Sequence, residues 1–506
     1  MTGPLILSID CGLTATKAVL FAPDGVEKAA ALEKTVVVDA GDRSEIDMAQ
    51  QWKRVTMAIR GAVEAAGVTT DAIVAIGVSG HGAGLYAIDE AGDPVGRALS
   101  SMDHRAQSIV DRWQTDGVSC YARTRHHPWS GQPVPQLAWL KQHDSETYTR
   151  IRWVFSAKNW ITYKLTGESS GEVTDASNSG FMNLRSGAYD REIFSTFGIA
   201  DAFDKLPKLH RSSEIVGTVT PRAAIETGLK VGIPVTAGLF DVVACAAGSG
   251  VHDESRYSMI AGTWNINTAF ERSLLPTEPT VKCSLGADGA HFVFVESSAT
   301  SACNLEWFVT QVMMRRDPSS GASGIYARMN DEVDAHAVQS ADPFYLPFLY
   351  PSHLSPDVGG CFIGIRPEHD ARHLTHAIYE GVVFAHRQHL DILRRNGMDK
   401  QSAVLAGGAT NSAAWCRLFS TITGLSIETS RATQVGALGA AIIAAVGAGV
   451  YGGLPQATEA MVKPGRRYEP SEPTRAAYED RYAKYLELLA LLGERSGRDR
   501  PIVIAK

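Results

Sequence analysis

The sequence predicts an α/β protein with a duplicated domain, and three observations carry this prediction. Strand-like and helix-like segments alternate through the first half of the chain, as they do in α/β folds. A strand, turn and strand pattern at residues 5–21 returns at residues 256–270, which suggests an internal repeat. An apolar strand at residues 72–78 runs into a Gly-rich polar loop at residues 79–84, and open α/β sheets bind ligands at the carboxyl ends of such strands.

Composition and charge restrict the class of protein. The chain has 506 residues, of which 44% are hydrophobic and 20% are charged, a profile typical of soluble globular proteins with room for more than one core. Its formal net charge is −7. Because no basic stretch offsets this balance, a nucleic-acid partner is not expected. The oligomeric state stays open, a homodimer included.

Cysteine usage and apolar patterning favour a cytoplasmic protein without a membrane partner. The seven cysteines are scattered and never form a CxxC pair, which favours reduced thiols over a disulfide framework. The amino terminus lacks the basic and apolar regions of a secretory signal. Residues 436–450 form the most membrane-like stretch, but they are few for a bilayer and rich in Gly and Ala. We therefore expect a helix packed closely inside a core.

The hairpin at residues 5–21 is the first candidate ligand site. Asp10 ends its first apolar run, and Gly12, Thr14, Thr16 and Lys17 follow in and after the polar turn, where the two threonine hydroxyls can donate to phosphate oxygens. Such a turn presents backbone N–H groups, hydroxyls and one cation, which suit an anion, while a carboxylate oxygen suits a hard divalent cation beside it. An ordinary hairpin with a polar turn explains these residues equally well.

Asp103 and Arg105 form a second candidate, two residues apart just before a helical segment that starts near Ala106. A carboxylate accepts hydrogen bonds and a guanidinium donates them, so the two together can hold several sugar hydroxyls. A helix cap with a surface ion pair is the alternative.

Asp241 ends a short strand-like segment at residues 232–241, and Ala-rich, helix-prone sequence follows at once. An Asp at this junction is either an N-cap or a carboxylate that projects into a cleft.

Two Gly-containing turns in the second half of the chain complete the candidates. Gly262 and Thr263 lie in the turn of the repeated hairpin. Gly407 and Gly408 follow a strand and precede a helix. A flat ring or a phosphate can approach the backbone closely at such glycines, and the amino terminus of the following helix favours negative charge.

Longer motifs carry a family resemblance. Residues 360–365 are followed after seven residues by residues 373–380, and residues 156–160 form a looser amino-terminal motif. With these motifs the chain, from about residue 5 to about residue 490, resembles the FGGY family of carbohydrate kinases. That family shares the duplicated, ribonuclease H-like ATPase fold of hexokinase, actin and the Hsp70 chaperones.

The resemblance implies two domains around a cleft, a sugar-binding domain at residues 1–247 and an ATP-binding domain at residues 248–506. It implies ATP and Mg²⁺ as cofactors, with Asp10 positioning the Mg²⁺ through water. Asp241 would be the catalytic acid that accepts the proton of the sugar hydroxyl, for which an ordinary ionised Asp suffices. The implied ATP ligands are Gly12, Thr14, Lys17, Gly262, Thr263, Gly407, Gly408 and Asn411.

The implied sugar contacts are His81, Gly82, Asp103, Arg105 and Asp241. In xylulose kinases a Met-His-Gly run touches the sugar, and an alignment with a one-residue gap makes His81 the equivalent histidine. A gapless alignment places Ala83 there instead.

The implied reaction is transfer of the γ-phosphoryl group of ATP to a hydroxyl of a small sugar. Within the family the similarity is closest to L-xylulose and 3-keto-L-gulonate kinases, so L-xylulose, D-xylulose and 3-keto-L-gulonate are the leading substrates. A tetritol or tetrulose is the alternative. The alternative of another class is a non-catalytic ATP-binding member of the same fold, which would have no use for a polyol pocket.

His369, His373 and His376 also fall at helical spacing. No HExxH motif accompanies them, and the resembled family has no metal site of this kind, so the sequence predicts no zinc site there.

Overall fold

The computed structural model describes residues 3–278, 280–317, 319, 321–350, 352–354 and 359–495. Residue contacts divide them into two compact units, neither of which is continuous in the chain. The first unit consists of the described residues up to Glu254, together with Phe270–Phe294 and Ala432–Lys463. The second unit consists of Ser255–Ala269, Val295–Arg431 and the described residues from Pro464 onward.

A mixed sheet organises the first unit. Its strands are β1 (Leu5–Cys11), β2 (Ala15–Phe21), β3 (Glu27–Lys34), β4 (Ile73–Gly80), β5 (Ile215–Thr218), β6 (Pro234–Thr236) and β7 (Leu239–Phe240). They lie in the order β5, β6, β4, β1, β2, β3, with β7 beside β4. β1 is antiparallel to β2 and parallel to β4. The predicted hairpin at residues 5–21 is therefore confirmed, and the chain reaches β4 through a helical crossover.

Four helices of the first unit bear on the site, namely α1 (Met48–Ala66), α2 (Ala157–Thr166), α3 (Val173–Asn178) and α4 (Asp241–Gly248). α1 begins where the side chain of Asp47 accepts a hydrogen bond from the backbone N–H of Gln50, and it ends at Gly67 with φ of 61°. A capping Asp and a left-handed Gly are the usual residues at these positions. Trp52 and Ile59 on its apolar face are buried, as the helical spacing of the apolar residues over 48–66 predicts.

The second unit repeats the arrangement of the first. Its sheet contains β8 (Tyr257–Ala261), β9 (Asn265–Glu271), β10 (Ser402–Ala406), β11 (Ser426–Ser430) and β12 (Pro464–Tyr468). β8 is antiparallel to β9 and parallel to β10, as β1 is to β2 and β4. The predicted duplication is thus confirmed. The main helices of this unit before β11 are α5 (Gly321–Ala335), α6 (Ala371–Arg395) and α7 (Ala413–Thr423).

The apolar stretch near residue 440 forms α8 (Val435–Gly447), which belongs to the first unit. Its glycines allow close packing: a Cβ at Gly439 would lie 1.9 Å from the carbonyl oxygen of Ala244 in α4. A Cβ at Gly77 of β4 would likewise lie 2.0 Å from the carbonyl oxygen of Ala440. The predicted core helix is confirmed. Among the described residues, no helix has the length and apolar character needed to cross a membrane.

The last helix, α9 (Glu472–Arg495), packs in the second unit. Tyr478, Tyr482, Tyr485 and Leu489 form a stripe along it and are buried, as the helical spacing of these residues predicts.

Shorter elements complete the two units. The remaining strands are Val37–Ala40, Arg43–Ile46, Tyr86–Ile88, Ala98–Leu99, Trp153–Phe155, Ser170–Glu172, Met182–Asn183, Ala188–Tyr189, Lys208–His210, Lys282–Leu285, Phe292–Ser298, Phe344–Leu346 and Cys361–Ile363. The remaining helical segments are Thr70–Ala72, Gln107–Thr115, Tyr121–Thr124, Pro133–His143, Ser145–Arg150, Arg191–Thr196, Ala200–Lys205, Pro221–Thr227, Cys303–Trp307, Phe308–Met313, Met314–Arg316, Gly408–Asn411 and Leu454–Met461.

Two predicted strands differ from the observed ones. The strand predicted at residues 72–78 continues through Ser79 and Gly80, because these two residues pair with the end of β1. The strand predicted at residues 232–241 is broken into β6 and β7, because Gly238 adopts φ of 78° and leaves the extended region. The polar loop after β4 is therefore shorter than expected, and Asp241 follows a kinked strand pair.

Candidate active site

Asp10 lies at the end of β1, opposite Lys17 of β2 in the strand register. Its Oδ1 accepts a 2.8 Å hydrogen bond from the hydroxyl of Ser79 on the neighbouring β4. The Oδ2 atom lies beside Gly436 of α8, where a Cβ would be only 3.0 Å away. Glycine thus keeps the space at Oδ2 clear of a side chain. A carboxylate oxygen in such a space fits a hard divalent cation or one of its water ligands.

The turn between β1 and β2 is tight and presents polar groups. The backbone N–H of Gly12 donates a 2.9 Å hydrogen bond to the carbonyl of Ala15, and the side chain of Thr14 is exposed. Thr16, which the sequence also suggested as a phosphate donor, is instead buried with its hydroxyl 3.6 Å from the sulfur of Cys11. Because side chains alternate along a strand, Thr16 faces the core and its neighbours do not.

Asp241 is the first residue of α4, and the N-cap position belongs to Phe240. The side chain of Asp241 therefore does not cap the helix, and the N-cap alternative is wrong. Burial raises the pKa of Asp241 well above its ordinary value, and the carboxylates of Asp10 and Asp175 raise it further. The sequence-based expectation of an Asp with an ordinary pKa is therefore corrected, first by burial and then by the two neighbouring carboxylates.

His81 and Gly82 follow β4 directly. The Nε2 atom of His81 lies 3.1 Å from the hydroxyl of Tyr86, whereas its buried Nδ1 has no hydrogen-bond partner. Burial lowers the pKa of His81 to about 4, so the ring is neutral at pH 7. A Cβ at Gly82 would lie 2.2 Å from the ring of Phe240, so glycine is needed for this close approach. Ala83, the gapless alternative, is buried with φ of 59° and offers no polar side chain.

The structure brings Asp103 and Arg105 together, but their side chains form hydrogen bonds with each other. The Nε of Arg105 donates to Asp103 Oδ1 and its Nη2 to Asp103 Oδ2, both at 2.8 Å. A further bond from Nη2 reaches Glu45 at 2.6 Å, and the backbone N–H of Ser44 donates to Asp103. Both members of the pair are buried, so the alternative of a surface ion pair is wrong. Their contact with a sugar stays a prediction.

The first unit also contains a buried charged triad of Lys158, Glu172 and Asp175, which the sequence analysis did not identify. The Nζ of Lys158 on α2 is 3.0 Å from Asp175 and 3.3 Å from Glu172, and the side chain of Lys158 is 0% exposed. The backbone N–H of Phe240 donates to the hydroxyl of Thr174 at 2.8 Å. The triad on α2 and α3 is therefore joined to the residue that precedes Asp241. Lys158 lies in the motif at residues 156–160, and this motif is the sequence feature from which Lys158 could have been proposed as a site residue.

The polar turns of the second unit adjoin one another. The carbonyl of Gly262 accepts a 2.8 Å hydrogen bond from the backbone N–H of Ala302, and the side chain of Thr263 is exposed. Gly407 has φ of 96°, and a Cβ there would lie 2.6 Å from the carbonyl oxygen of Ala261. Gly407 is thus needed both for its left-handed backbone and for its contact with the end of β8.

A cavity of about 510 Å³ opens next to these turns. Gly408 and Asn411 both line it, together with the aromatic side chains of Tyr326, Tyr379 and Trp415. Its size and its mixture of apolar walls with a few polar groups are typical of a site for a small organic ligand. The structure therefore brings three of the sequence-predicted residues, Gly407, Gly408 and Asn411, to one cavity and its rim.

Comparison with known proteins agrees with this geometry. The model of the N-terminal domain of the FGGY family of carbohydrate kinases matches residues 5–248, and the model of its C-terminal domain matches residues 257–448. The chain belongs to the FGGY family of carbohydrate kinases. It is therefore an ATP-dependent sugar kinase with the duplicated actin and hexokinase fold, and the alternative of a non-catalytic ATP-binding protein is set aside.

Individual relatives cover nearly the whole chain. The L-xylulose/3-keto-L-gulonate kinase of Escherichia coli K12 is 35% identical over 96% of this chain and 97% of its own. A probable L-xylulose kinase of Pasteurella multocida is 34% identical over 96% of this chain and 98% of its own.

Solved structures agree in fold. The ligand-bound xylulose kinase of Lactobacillus acidophilus has a TM-score of 0.86 at 21% identity and covers 97% of this chain and 98% of its own. The xylulose kinase of Rhodospirillum rubrum has a TM-score of 0.84 at 22% identity and covers 98% of this chain and 100% of its own.

Proposed function

We propose that this FGGY kinase phosphorylates a ketopentose or the related keto sugar acid, with L-xylulose and 3-keto-L-gulonate ahead of D-xylulose. The observation that carries this proposal is the near full-length similarity, at 34–35% identity, to relatives named for these substrates. Named xylulose kinases are about ten percentage points less identical to this chain, at 25–26%. The chemistry takes place in the cytoplasm, where ATP and small phosphorylated sugars are retained.

The proposed base is Asp241. Phosphoryl transfer requires aligned reactants, neutralised charge and one carboxylate that orients the attacking hydroxyl and takes its proton. Burial and then the neighbouring carboxylates of Asp10 and Asp175 raise the pKa of Asp241, and a carboxylate with a raised pKa is a stronger base. Its place as the first residue of α4 holds the carboxylate at the end of the kinked strand pair rather than in a capping bond.

The proposed phosphate ligands are Gly12, Thr14 and Lys17 of the first hairpin and Gly262 and Thr263 of its repeat. Their turns expose backbone N–H groups, hydroxyls and one ammonium group, which are the donors that phosphate oxygens accept. Asp10 would hold Mg²⁺ through water, and the ion would supply charge neutralisation on the phosphates. Gly407, Gly408 and Asn411 would hold the adenosine moiety at the 510 Å³ cavity.

The proposed sugar contacts are His81, Gly82, Asp103, Arg105 and Asp241. The unpartnered Nδ1 of His81 supports such a contact, because a buried polar atom without a partner gains a hydrogen bond when a hydroxyl arrives. Asp103 also holds the backbone N–H of Ser44. A sugar hydroxyl would reach Asp103 and Arg105 by replacing one of the hydrogen bonds between them.

A coupled assay of ADP release tests the proposal with ATP and Mg²⁺ over a panel of L-xylulose, 3-keto-L-gulonate, D-xylulose and a tetritol. We expect the highest kcat/KM with L-xylulose or 3-keto-L-gulonate. Asp241→Asn should lower kcat by about 10²–10⁴-fold, the range that proton transfer contributes, while ATP still binds. Preference for D-xylulose or the tetritol would contradict the substrate, and unchanged kcat in Asp241→Asn would contradict the base.

A further inference from the structure

Three side chains of the second unit, His336, Asp342 and His376, form a cluster that the proposed reaction does not use. His336 directly follows α5, Asp342 lies in the next loop, and His376 lies on α6. The Nε2 of His336 is 2.7 Å from Oδ2 of Asp342, and the rings of His336 and His376 are 4.3 Å apart between centroids. Each residue offers one ligand atom, and these three atoms lie within 4.8 Å of one another.

His376 has spare coordinating capacity. Its Nε2 lies 3.2 Å from the hydroxyl of Tyr478 on α9, while its Nδ1 has no hydrogen-bond partner. The residue is only 1% exposed, so its unpaired ring nitrogen is unfavourable for the folded protein. A cation bound by a ring nitrogen of His376 would remove that unfavourable contribution.

The cluster offers the donor atoms that a transition metal binds. Asp342 supplies a carboxylate oxygen, and His336 and His376 each supply a ring nitrogen. The backbone N–H of Gln339 donates a 2.8 Å hydrogen bond to Oδ2 of Asp342 and helps to orient the carboxylate. Imidazole nitrogen and carboxylate oxygen are common ligands of transition metals in proteins.

The groups that face the cluster are accounted for. Arg481 on α9 donates to the backbone carbonyl of Asp342 at 3.1 Å, but its charge is paired with the buried carboxylate of Glu380 at 2.5 Å. His373, one turn before His376, is held by Asp370 in a capping box at the start of α6. The neighbouring cation is thus neutralised, and His373 has a separate structural role.

We propose that His336, Asp342 and His376 bind one divalent transition-metal ion, with Zn²⁺ the best match. Two imidazoles and one carboxylate are a ligand set that Zn²⁺ accepts at about 2.0–2.2 Å, with water as a fourth ligand. Tetrahedral ligands at that distance lie about 3.3 Å apart, so the 2.7 Å contact between His336 and Asp342 has to open by about 0.6 Å. The three ligand atoms lie within 4.8 Å of one another, so the widest of these separations has to close by up to about 1.5 Å.

Asp342 also lines a surface cavity of about 460 Å³, whose other charged lining residues are Arg366, Asp480, Arg481 and Lys484. The three ligands come from the end of α5, the loop after it and α6, and Tyr478 of α9 lies against His376. A bound ion therefore joins three segments that otherwise meet through side-chain packing, and it stabilises the second unit.

The test uses the full chain, stripped with a chelator and dialysed against Zn²⁺, with metal content measured by plasma mass spectrometry. His336→Gln and Asp342→Asn should each bind one equivalent less than the wild type. His369→Gln is the matched control, because His369 lies beside His373 but outside the ligand set, and it should bind as the wild type does. Zn²⁺ should raise the Tm of the wild type and of the control only.

A second group, Glu296, His353 and His389, also has ligand atoms spaced for a metal ion. The metal content of each variant is therefore compared with that of the wild type, and complete loss of metal is not required. Equal metal content in the wild type and Asp342→Asn would overturn the proposal, as would a stripped wild type that binds no Zn²⁺. A purely structural histidine cluster would lower the Tm in both ligand variants without changing the metal content, and that result would also overturn it.

Discussion

The buried ammonium group of Lys158 offers a sharp test of how the first unit is held together. Lys158→Met keeps the length of the side chain and removes its charge, leaving Glu172 and Asp175 without a cation. The ammonium lies 3.0 Å and 3.3 Å from these carboxylates, and the exposed fractions of the three side chains are 0%, 0% and 3%. At an effective dielectric constant of about 20, each contact is worth about 5 kcal/mol before desolvation. Removing one partner of a buried pair costs about 3–5 kcal/mol.

Lys164→Met is the matched control on the same helix. Lys164 approaches Glu226 only at 4.0 Å, and the side chains are 16% and 31% exposed. Solvent-screened pairs contribute about 0–1 kcal/mol. Chemical denaturation followed by tryptophan fluorescence should therefore show a much lower midpoint for Lys158→Met than for Lys164→Met at pH 7.

The reasoning is refuted if the two variants unfold within about 1 kcal/mol of each other at pH 7, since exposed pairs set that scale.

Three further predictions concern Asn411 at the cavity of the second unit, Gly82, and two buried histidines of the first unit. Asn411→Ala should raise the KM for ATP by about 5–20-fold, a loss of 1–2 kcal/mol typical of one hydrogen bond, and leave the KM for the sugar unchanged; equal effects on both would contradict its place at the nucleotide. Gly82→Ala should lower stability by about 1–3 kcal/mol through overpacking against Phe240, measured as the denaturation midpoint, and an unchanged midpoint would mean that this contact relaxes freely. Burial lowers the pKa of both His81 and His126 to about 4, so the unfolded chain binds more protons below about pH 6.5 and stability falls as the pH falls. The free energy of unfolding should drop by about 2 kcal/mol per histidine between pH 7 and pH 5, and His81→Gln should remove its share of that slope.

The elements that the sequence predicted well depend on local patterns. The hairpin at residues 5–21, its repeat at 256–270 and the helix over residues 48–66 all have apolar residues at the period of the element, and neighbouring residues decide that pattern. The candidate ligands Asp10, Asp241, Gly262 and Gly407 stand at the ends of such elements. The sequence could therefore predict them as candidate ligands at strand and helix ends.

Contacts between distant segments decided the rest. Lys158, Glu172 and Asp175 are three separate charges in the sequence, and only the folded chain brings Lys158 of α2 to Glu172 and to Asp175 of α3 in a buried triad. Asp103 and Arg105 looked like free polyol ligands or a surface pair until Glu45 and Ser44, about 60 residues earlier, were seen to hold them. The sequence cannot show such partners because they are far apart in the chain.

By itself, the sequence of this FGGY kinase determined its family, its duplicated α/β fold and the order of its strand-end residues, because these depend on motifs and on local periodicity. Only the tertiary structure decided the electrostatics. The ordinary aspartate expected at position 241 has a raised pKa because the fold buries it and places Asp10 and Asp175 near it. His376 lies beside His336 and Asp342 because α5 and the loop that follows it meet α6. Desolvation and charge depend on neighbours in space, and folding alone determines those neighbours.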